Sequence, residues 1–231
     1  MYCAHCGTDL GVGLNTCPRC GREAHRRSAV AAAEMGDHLR VSSQDAARAF
    51  YTFGVDPVGG LAAAFARLGA ERAAGAGLML CAGFALAAAL GCTLGIRRWF
   101  GFWAQLAGVA GASTFFKSVL VLSVPPATLT AAGLVTRKVL RTSGNLGGDV
   151  FIAGAALAPT GLATFLGGLL GAGNLEAVLV LHIAAFTYLV LLLYAGLTSV
   201  GGMSARAVAL AVAAMVVLTG WLTKIAFAAL F

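Results

Sequence analysis

The sequence predicts an all-α polytopic membrane protein with five transmembrane helices and a small N-terminal head that carries two cysteine pairs. Of the 231 residues, 59% are hydrophobic and 11% are charged, whereas soluble domains average about 25% charged residues. Half of the 16 Lys and Arg residues precede residue 73, and the rest of the chain is mostly Ala, Leu, Gly, Val and Phe. This composition excludes an ordinary soluble enzyme, a disordered chain and a collagen-like chain.

The head is defined by the spacing Cys3-x2-Cys6 and Cys17-x2-Cys20. Each pair can wrap a turn around one metal ion, and four thiolates complete the tetrahedral shell that Zn²⁺ accepts. A glycine follows the second cysteine of each pair, where such a turn commonly needs a positive φ. We therefore expect residues 1–22 to form a zinc ribbon in which these four cysteines bind a structural Zn²⁺. A closed shell leaves no position for a catalytic water.

Three other uses of these cysteines are weighed against zinc. Two disulfides would need an oxidising compartment, and the expected topology places the head in the reducing cytosol. A thioredoxin-type redox pair would need a βαβ context that so short a segment does not supply. An iron–sulfur cluster stays open, although the turn chemistry favours zinc. His5 lies inside the first pair and is expected at the surface, because four sulfurs already fill the shell.

Residues 23–54 are predicted to be a linker with one short helix. The stretch from Arg22 to Arg40 is polar, Ala-rich and basic without a sustained apolar face, which is typical of a flexible linker. Ser42 or Ser43 can cap a helix that runs from Ala46 to Phe53. Asp56-Pro57 should end it, because proline disfavours helix in the residue before it.

An amphipathic pattern follows between residues 59 and 72. Leu61, Phe65 and Leu68 recur at i, i+4 and i+7, with Arg67 and Arg72 at polar positions. Two interpretations stay open at this point. The helix can lie at the cytoplasmic membrane surface with its apolar face in lipid and its arginines near headgroups, or it can pack against the bundle as an elbow.

Five segments are long and apolar enough to cross a hydrocarbon core about 30 Å thick. The second contains Pro125-Pro126, so we expect it to be kinked and packed against protein. An additional span through Trp103 to Val119 is a minority alternative, because it would carry Gln105 and Lys117. The predicted spans are residues 73–96, 116–135, 150–171, 177–198 and 207–229.

The basic residues predict the orientation of the chain. Eight precede the first span, Arg137, Lys138 and Arg141 follow the second, and Arg206 follows the fourth. The other side receives Arg97 and Arg98. The positive-inside rule therefore predicts a cytoplasmic N-terminus and an external C-terminus.

Small residues are concentrated in the third span. Gly167-x3-Gly171 ends it, and Gly154, Ala158 and Gly161 continue the small positions. Because small residues let transmembrane backbones approach closely, we expect this helix at the centre of the bundle, kinked at Pro159.

Ionisable residues inside the spans are candidates for function. Lys117, His182 and Lys224 lie within predicted spans, and His182 is expected to be a hydrogen-bonded packing residue. Asp149 and Glu176 open the third and fourth spans, where a helix N-terminus favours negative charge. We expect no charge pair inside the membrane. No protease, zincin or phosphate-binding motif is found, so no catalytic residue is expected.

The region 55–231 resembles the Yip family of membrane proteins, whose eukaryotic members bind Rab-type GTPases on Golgi and endoplasmic reticulum membranes. The likeness rests on Asp56-Pro57-Val58-Gly59-Gly60-Leu61, on Gly154-Ala155-Ala156-Leu157-Ala158-Pro159, and on Leu193-Tyr194-Ala195-Gly196-Leu197. The order of a zinc ribbon followed by a Yip-like domain resembles prokaryotic members of this family, and the resemblance implies a bacterial inner membrane. The head departs from the eukaryotic members, so Rab binding is not carried over.

These features together predict a non-enzymatic membrane scaffold or adaptor, whose zinc ribbon recruits a cytosolic protein or a neighbouring subunit. The alternative is a small-solute or ion transporter lined by Lys117, His182 and Lys224. A third hypothesis is membrane shaping by residues 57–72. The lipid bilayer is an expected partner, self-association into a homo-oligomer stays open, and nucleic acid is not expected, because topology explains the net charge of +7.

Overall fold

The fold is described from a computed structural model, which covers residues 8, 19–20, 26–106 and 111–231. Those residues contain helices and turns and no β-strand. Two compact units are distinguished, Met1–Ser42 and Ser43–Phe231, and the packing given below lies within the second. The described ranges contain seven α-helices, and one 3₁₀ turn, Ala172–Asn174, precedes the sixth. The helices are α1 (Arg26–Val55), α2 (Gly60–Leu106), α3 (Ala112–Leu122), α4 (Val124–Leu140), α5 (Leu146–Leu170), α6 (Leu175–Ser199) and α7 (Ala205–Leu230).

Among the described residues, five helical segments are long and apolar enough to cross a membrane, which confirms the number of spans predicted from hydropathy. Each predicted span overlaps one of them, and the chain is therefore described as a multi-pass membrane protein. The additional span through Trp103 to Val119 includes residues 107–110, which lie outside the described part. The five segments are Gly60–Gly101, Ala112–Leu140, Leu146–Leu170, Ala172–Ser199 and Ala205–Leu230.

Helix α2 contains two breaks, each at a glycine whose backbone angles other residues rarely adopt. Gly69 has φ 70° and ψ 168°, and Gly101 has φ 47° and ψ −118°. Both values of φ lie in the region that side chains with a β-carbon avoid. The break at Gly69 separates a short lead-in helix, residues 60–68, from the spanning part of α2. We call this lead-in helix the elbow.

Two ends of the bundle can be distinguished by what meets there. At the near end, where α2 begins, the α4–α5 turn approaches the α6–α7 turn: a β-carbon at Gly144 would lie 3.6 Å from the Cα of Gly201. At the far end, Arg98 of α2 donates a hydrogen bond to the carbonyl oxygen of Leu169. The two ends therefore carry different polar groups.

Helices α2 and α5 run parallel and touch backbone to backbone through a glycine seam, which comprises Gly147, Gly154, Gly161 and Gly168 of α5. These glycines recur every seventh residue, and they face Ala70, Gly77, Phe84 and Gly91 of α2, which recur at the same interval. A β-carbon at Gly154 would collide with the carbonyl oxygen of Gly77. A seven-residue repeat keeps one seam of each helix facing its partner along the whole contact.

The third span is the buried centre of the bundle, as the sequence predicted. About 56% of its most apolar window is buried, the largest share of the five segments. Gly154 and Gly161 do mediate close packing, but Gly171 ends the helix with φ 72° and Gly167 faces α6. The predicted pair Gly167-x3-Gly171 is therefore not the packing motif. Helix α5 continues through Pro159.

The predicted disturbance at Pro125-Pro126 is a break into two helices. Helix α3 ends at Leu122, Ser123 lies between, and the prolines occupy the first turn of α4. Proline is tolerated in the first turn because those backbone N–H groups have no intrahelical partner. Pro125 is buried, in agreement with the expectation that this region packs against protein.

Residues 26–55 form one continuous helix, whereas the sequence predicted a flexible linker up to Arg40 and a short helix from Ala46 to Phe53. The stretch contains no proline and is rich in alanine, the residue with the highest helix propensity. The predicted end before Asp56-Pro57 is confirmed, because α1 stops at Val55.

Candidate functional site

A tight corner joins α1 to α2. The carboxylate Oδ1 of Asp56 accepts hydrogen bonds from the backbone N–H groups of Val58 (3.2 Å) and Gly59 (2.9 Å). A β-carbon at Gly59 would lie 2.5 Å from Asp56 Oδ2, and one at Gly60 would lie 2.5 Å from the carbonyl oxygen of Thr52. The Asp-Pro-Val-Gly-Gly sequence therefore has a structural reason: the aspartate caps the turn, and two glycines let the helices approach.

The last turns of α1 are fixed to the N-terminal part of α2 by an ion pair and by apolar packing. Arg72 makes a two-pronged contact with Asp45, Nε to Oδ2 at 2.9 Å and Nη2 to Oδ1 at 2.7 Å. Asp45 is buried, and the Phe53 side chain is fully buried. The Tyr188 hydroxyl of α6 donates to the carbonyl oxygen of Gly54 at 3.3 Å. Residues 43–55 are thus part of the membrane domain.

The apolar face of the elbow is covered by protein. Leu61 is fully buried, and the ring of Phe65 lies 6.0 Å from that of Phe151 in α5. A β-carbon at Gly196 of α6 would lie 2.9 Å from Leu61 Cδ2. Packing of this amphipathic segment as an elbow is confirmed for Leu61 and Phe65. Its contact with the membrane surface and membrane shaping by residues 57–72 stay predictions, because packing and surface contact are compatible.

A buried ion pair connects α4 to α5 at the near end, just beyond the bounds of the predicted spans 116–135 and 150–171. Arg137 Nη2 lies 2.6 Å from Asp149 Oδ2, and the side chains are 14% and 2% exposed. Arg137 Nη1 also donates to the carbonyl oxygen of Gly144. Asn145 caps α5 by accepting from the Gly148 N–H at 2.7 Å. The tight α4–α5 turn brings the two charges together, which spacing in the sequence did not reveal.

Asp149 and Glu176 lie in the first turns of α5 and α6, as predicted. The two environments differ: Asp149 is buried beside Arg137, whereas Glu176 is exposed and has no ion pair within the described residues. Only the first carboxylate is therefore part of the packing.

His182 is a packing residue, as the sequence predicted. Its Nδ1 lies 2.8 Å from the carbonyl oxygen of Val178, and its ring lies against the α5 position that Gly167 leaves open. It faces a groove that Gly91, Gly95 and Trp99 of α2 also line. The ring is thus used in helix–helix contact.

Lys117 and Lys224 both lie near one cavity at the far end, which uses a different face of α2 from the groove beside His182. Lys224 lines a cavity of about 760 Å³. Lys117 Nζ lies 5.4 Å above the centre of the Phe231 ring, which lines the same cavity. Phe231 therefore links Lys117 to the cavity that Lys224 lines, and His182 lies elsewhere. The walls include Cys92 and Ile96 from α2, Ser118 and Val121 from α3, and Gly220 and Thr223 from α7.

The predicted zinc ligands fall mainly outside the described residues. Cys3, Cys6 and Cys17 are among the residues left undescribed, as is His5, and Cys20 lies in a turn. Within residues 8, 19–20, 26–106 and 111–231, no three His, Cys, Asp or Glu side chains form a group able to hold a metal ion. The four-cysteine zinc site stays a prediction from the sequence.

Comparisons with protein-family models, curated proteins and solved structures find no match to this chain. The function is therefore inferred from the residues described above.

Sequence reasoning missed the Arg137–Asp149 pair, the seat of α1 on the elbow, and the contact of Arg98 with α5. The sequence did contain a signal for the Arg98 contact. Two arginines directly follow the first span, at the end of the bundle where the third span also ends. Arginine near a helix C-terminus is favourable because the last carbonyl groups lack intrahelical partners.

Proposed function

We propose that this chain is a non-enzymatic membrane scaffold whose N-terminal four-cysteine head binds a structural Zn²⁺ and recruits a cytosolic protein or a neighbouring subunit. The five-helix domain anchors the head in a bacterial inner membrane, with the N-terminus in the cytosol and the C-terminus outside. The resemblance to the Yip family supports a role in membrane organisation, and it carries over no catalytic residue.

The observation that carries the proposal is the fixed entry of the chain into the bundle. Residues 43–55 are tied to the N-terminal part of α2 by the Asp45–Arg72 ion pair and by the buried Phe53. The corner after them is closed by Asp56 and two glycines. A segment that only tethered a soluble head would not need a buried carboxylate and a fully buried aromatic ring. A fixed attachment of this kind suits a protein that holds a cytosolic head at a defined place on the membrane.

The use of polar groups in the spans supports an anchor. Asp149 is neutralised by Arg137, and His182 is bound to a carbonyl oxygen of its own helix. The glycine seam joins α2 and α5 by backbone contact, and closely packed backbones resist the rocking that alternating access needs. These features favour a rigid domain.

The charge distribution supports the proposed orientation. The near end holds Arg67, Lys138, Arg141 and Arg206, all exposed, and the positive-inside rule places such an end in the cytosol. Arg98, one of the two basic residues that argued against this orientation, is bound to the Leu169 carbonyl oxygen. Arg98 therefore has a structural role in the contact between α2 and α5.

The zinc and recruitment claims are tested by Cys17→Ser, with Cys92→Ser in α2 as the matched control. The purified full chain should contain one zinc ion per chain in the wild type and in the control, and the Cys17 variant should lose it, because three thiolates do not close the shell. A photo-crosslinker at Arg19 should capture the same cytosolic protein in wild type and control only. Equal zinc or equal crosslinking in the Cys17 variant would contradict the proposal.

Transport is the second candidate, favoured by the far-end cavity with Lys224. His182 does not share that cavity and faces another side of α2. Transport through all three residues therefore lacks a common path. Flux of ions or small solutes into liposomes that is lost on His182→Ala would revive this candidate.

A further inference from the structure

The far-end cavity combines an apolar wall with two nearby lysines. It measures about 760 Å³, within the range of about 300–1,000 Å³ that ligand pockets occupy. In the described part of the chain, neither Lys117 nor Lys224 lies within ion-pair distance of a carboxylate, whereas the near-end arginines Arg72 and Arg137 are both paired. The cavity therefore borders two ammonium groups that make no ion pair in the described part of the chain.

The position of the lysines matches the level of lipid headgroups. Lys117 lies five residues from the start of α3 and Lys224 seven residues from Phe231. At 1.5 Å per residue, both lie about 8–10 Å from the far ends of their helices. Lysine side chains at such depths extend toward the interface. Two ammonium groups therefore meet the headgroup layer beside an apolar space.

The cavity opens toward the surface of the bundle that faces the membrane. Phe100 and Phe227 line it and are also 61% and 55% exposed. Phe227 and Phe231 stack with ring centres 4.7 Å apart, and the Phe231 ring lies under Lys117. Cation–π contact holds an ammonium group beside an aromatic ring without neutralising its charge. Lys117 is thus oriented at the cavity wall and still able to attract an anion.

We propose that this cavity binds a lipid with an anionic headgroup. One acyl chain occupies the apolar space between α2, α3 and α7, and the headgroup phosphate contacts Lys117 and Lys224. A soluble anion would leave the apolar wall unused, and a zwitterionic lipid would present a positive group to the two lysines. Charge complementarity and the apolar wall together select the acidic lipid.

The test uses the full chain purified in detergent with equal amounts of phosphatidylglycerol and phosphatidylcholine, and native mass spectrometry measures the ratio of the two bound lipids. The wild type should retain phosphatidylglycerol several-fold over phosphatidylcholine. Lys117→Gln with Lys224→Gln should bring the ratio close to one. The control, Lys138→Gln with Arg206→Gln, removes the same charge from exposed near-end positions and should keep the preference.

A second pair of variants tests the cavity independently of charge. A β-carbon at Gly220 or at Gly83 would meet nothing within 4 Å, so a side chain at either position begins in open space. Gly220→Leu fills the cavity and should reduce phosphatidylglycerol retention several-fold, whereas Gly83→Leu, outside the cavity, should not. Thermal unfolding of both variants verifies that they are folded.

Three outcomes would overturn the proposal. The lysine variant could keep the wild-type ratio, which would show that the two ammonium groups do not select the headgroup. Gly220→Leu could retain phosphatidylglycerol as the wild type does, which would show that the chain does not occupy the cavity. Inorganic phosphate could displace phosphatidylglycerol as effectively as phosphatidylglycerol itself, which would show that a soluble anion suffices.

Discussion

Helices α5 and α7 have almost the same length, 25 and 26 residues, but α5 lies at the centre of the bundle and α7 at its periphery. About 56% of the most apolar window of α5 is buried, against 17% for α7, although α7 has the higher mean hydropathy. Helix α5 contains the four seam glycines and a paired carboxylate, whereas Gly220 is the one glycine of α7. In a membrane, small residues and satisfied polar groups therefore identify the central helix better than hydropathy does.

This difference has a consequence for function. The α5 side of α2 is closed by backbone contact, and the α3–α7 side leaves a cavity. One face of α2 is thus packed closely against α5, and another face borders the cavity. The proposed scaffold, with a lipid bound between α2, α3 and α7, is consistent with this difference.

The largest expected effect concerns the two carboxylates in first helical turns. Asp149→Ala leaves Arg137 buried without its acidic partner, and breaking such a pair costs about 3–5 kcal/mol of unfolding free energy. Glu176→Ala, at an exposed and unpaired position of the described chain, should change it by about 0.5 kcal/mol or less. Unfolding with a denaturing detergent, followed by circular dichroism, measures both. Similar losses in the two variants would break the distinction.

The next effect compares one glycine on each helix. Gly154→Ala introduces a β-carbon against the Gly77 carbonyl oxygen and should cost about 1–3 kcal/mol by overpacking. Gly220→Ala meets open space and should be neutral or stabilising by up to about 1 kcal/mol, because alanine loses less backbone entropy. The same unfolding measurement applies. Equal tolerance of alanine at both positions would show that α2 and α5 do not touch along the seam.

The smallest effect concerns the arginine pair at the far end. Arg98→Gln removes the hydrogen bond to the Leu169 carbonyl oxygen and should cost about 0.3–1 kcal/mol, since the contact is exposed. Arg97→Gln should leave the unfolding free energy unchanged, because Arg97 is exposed and no ion pair involves it in the described residues. A larger loss from Arg97→Gln than from Arg98→Gln would contradict the assignment.

The number of spans could be predicted from the sequence because hydropathy is a local property: about twenty apolar residues span a bilayer whatever their neighbours are. The end of α1 at Asp56-Pro57 was predictable for the same reason. The central position of α5 was predicted from its small residues, although the packing positions were assigned to Gly167 and Gly171. The register of the seam depends on α2, which no periodicity within α5 specifies.

The polar contacts were harder to predict because they join residues that the turns bring together. Arg137 and Asp149 belong to different helices, and their contact depends on the tight turn that contains Gly144 and Asn145. Asp45 and Arg72 meet only after the corner reverses the chain. The cavity beside Lys224 likewise results from the spacing of three helices. The predicted zinc site is of the opposite kind, because its four ligands are specified by local spacing alone.

The most direct test of the proposed scaffold is the side of the membrane on which each end of the bundle lies. Ser143→Cys at the near end and Gly173→Cys at the far end are introduced into a chain in which Cys81 and Cys92 are serine. Intact bacterial cells that express each variant are then treated with a membrane-impermeant maleimide. The account predicts labelling at position 173 and none at 143 until the cells are lysed. Labelling at 143 in intact cells would place the cysteine head outside the reducing cytosol and contradict the account.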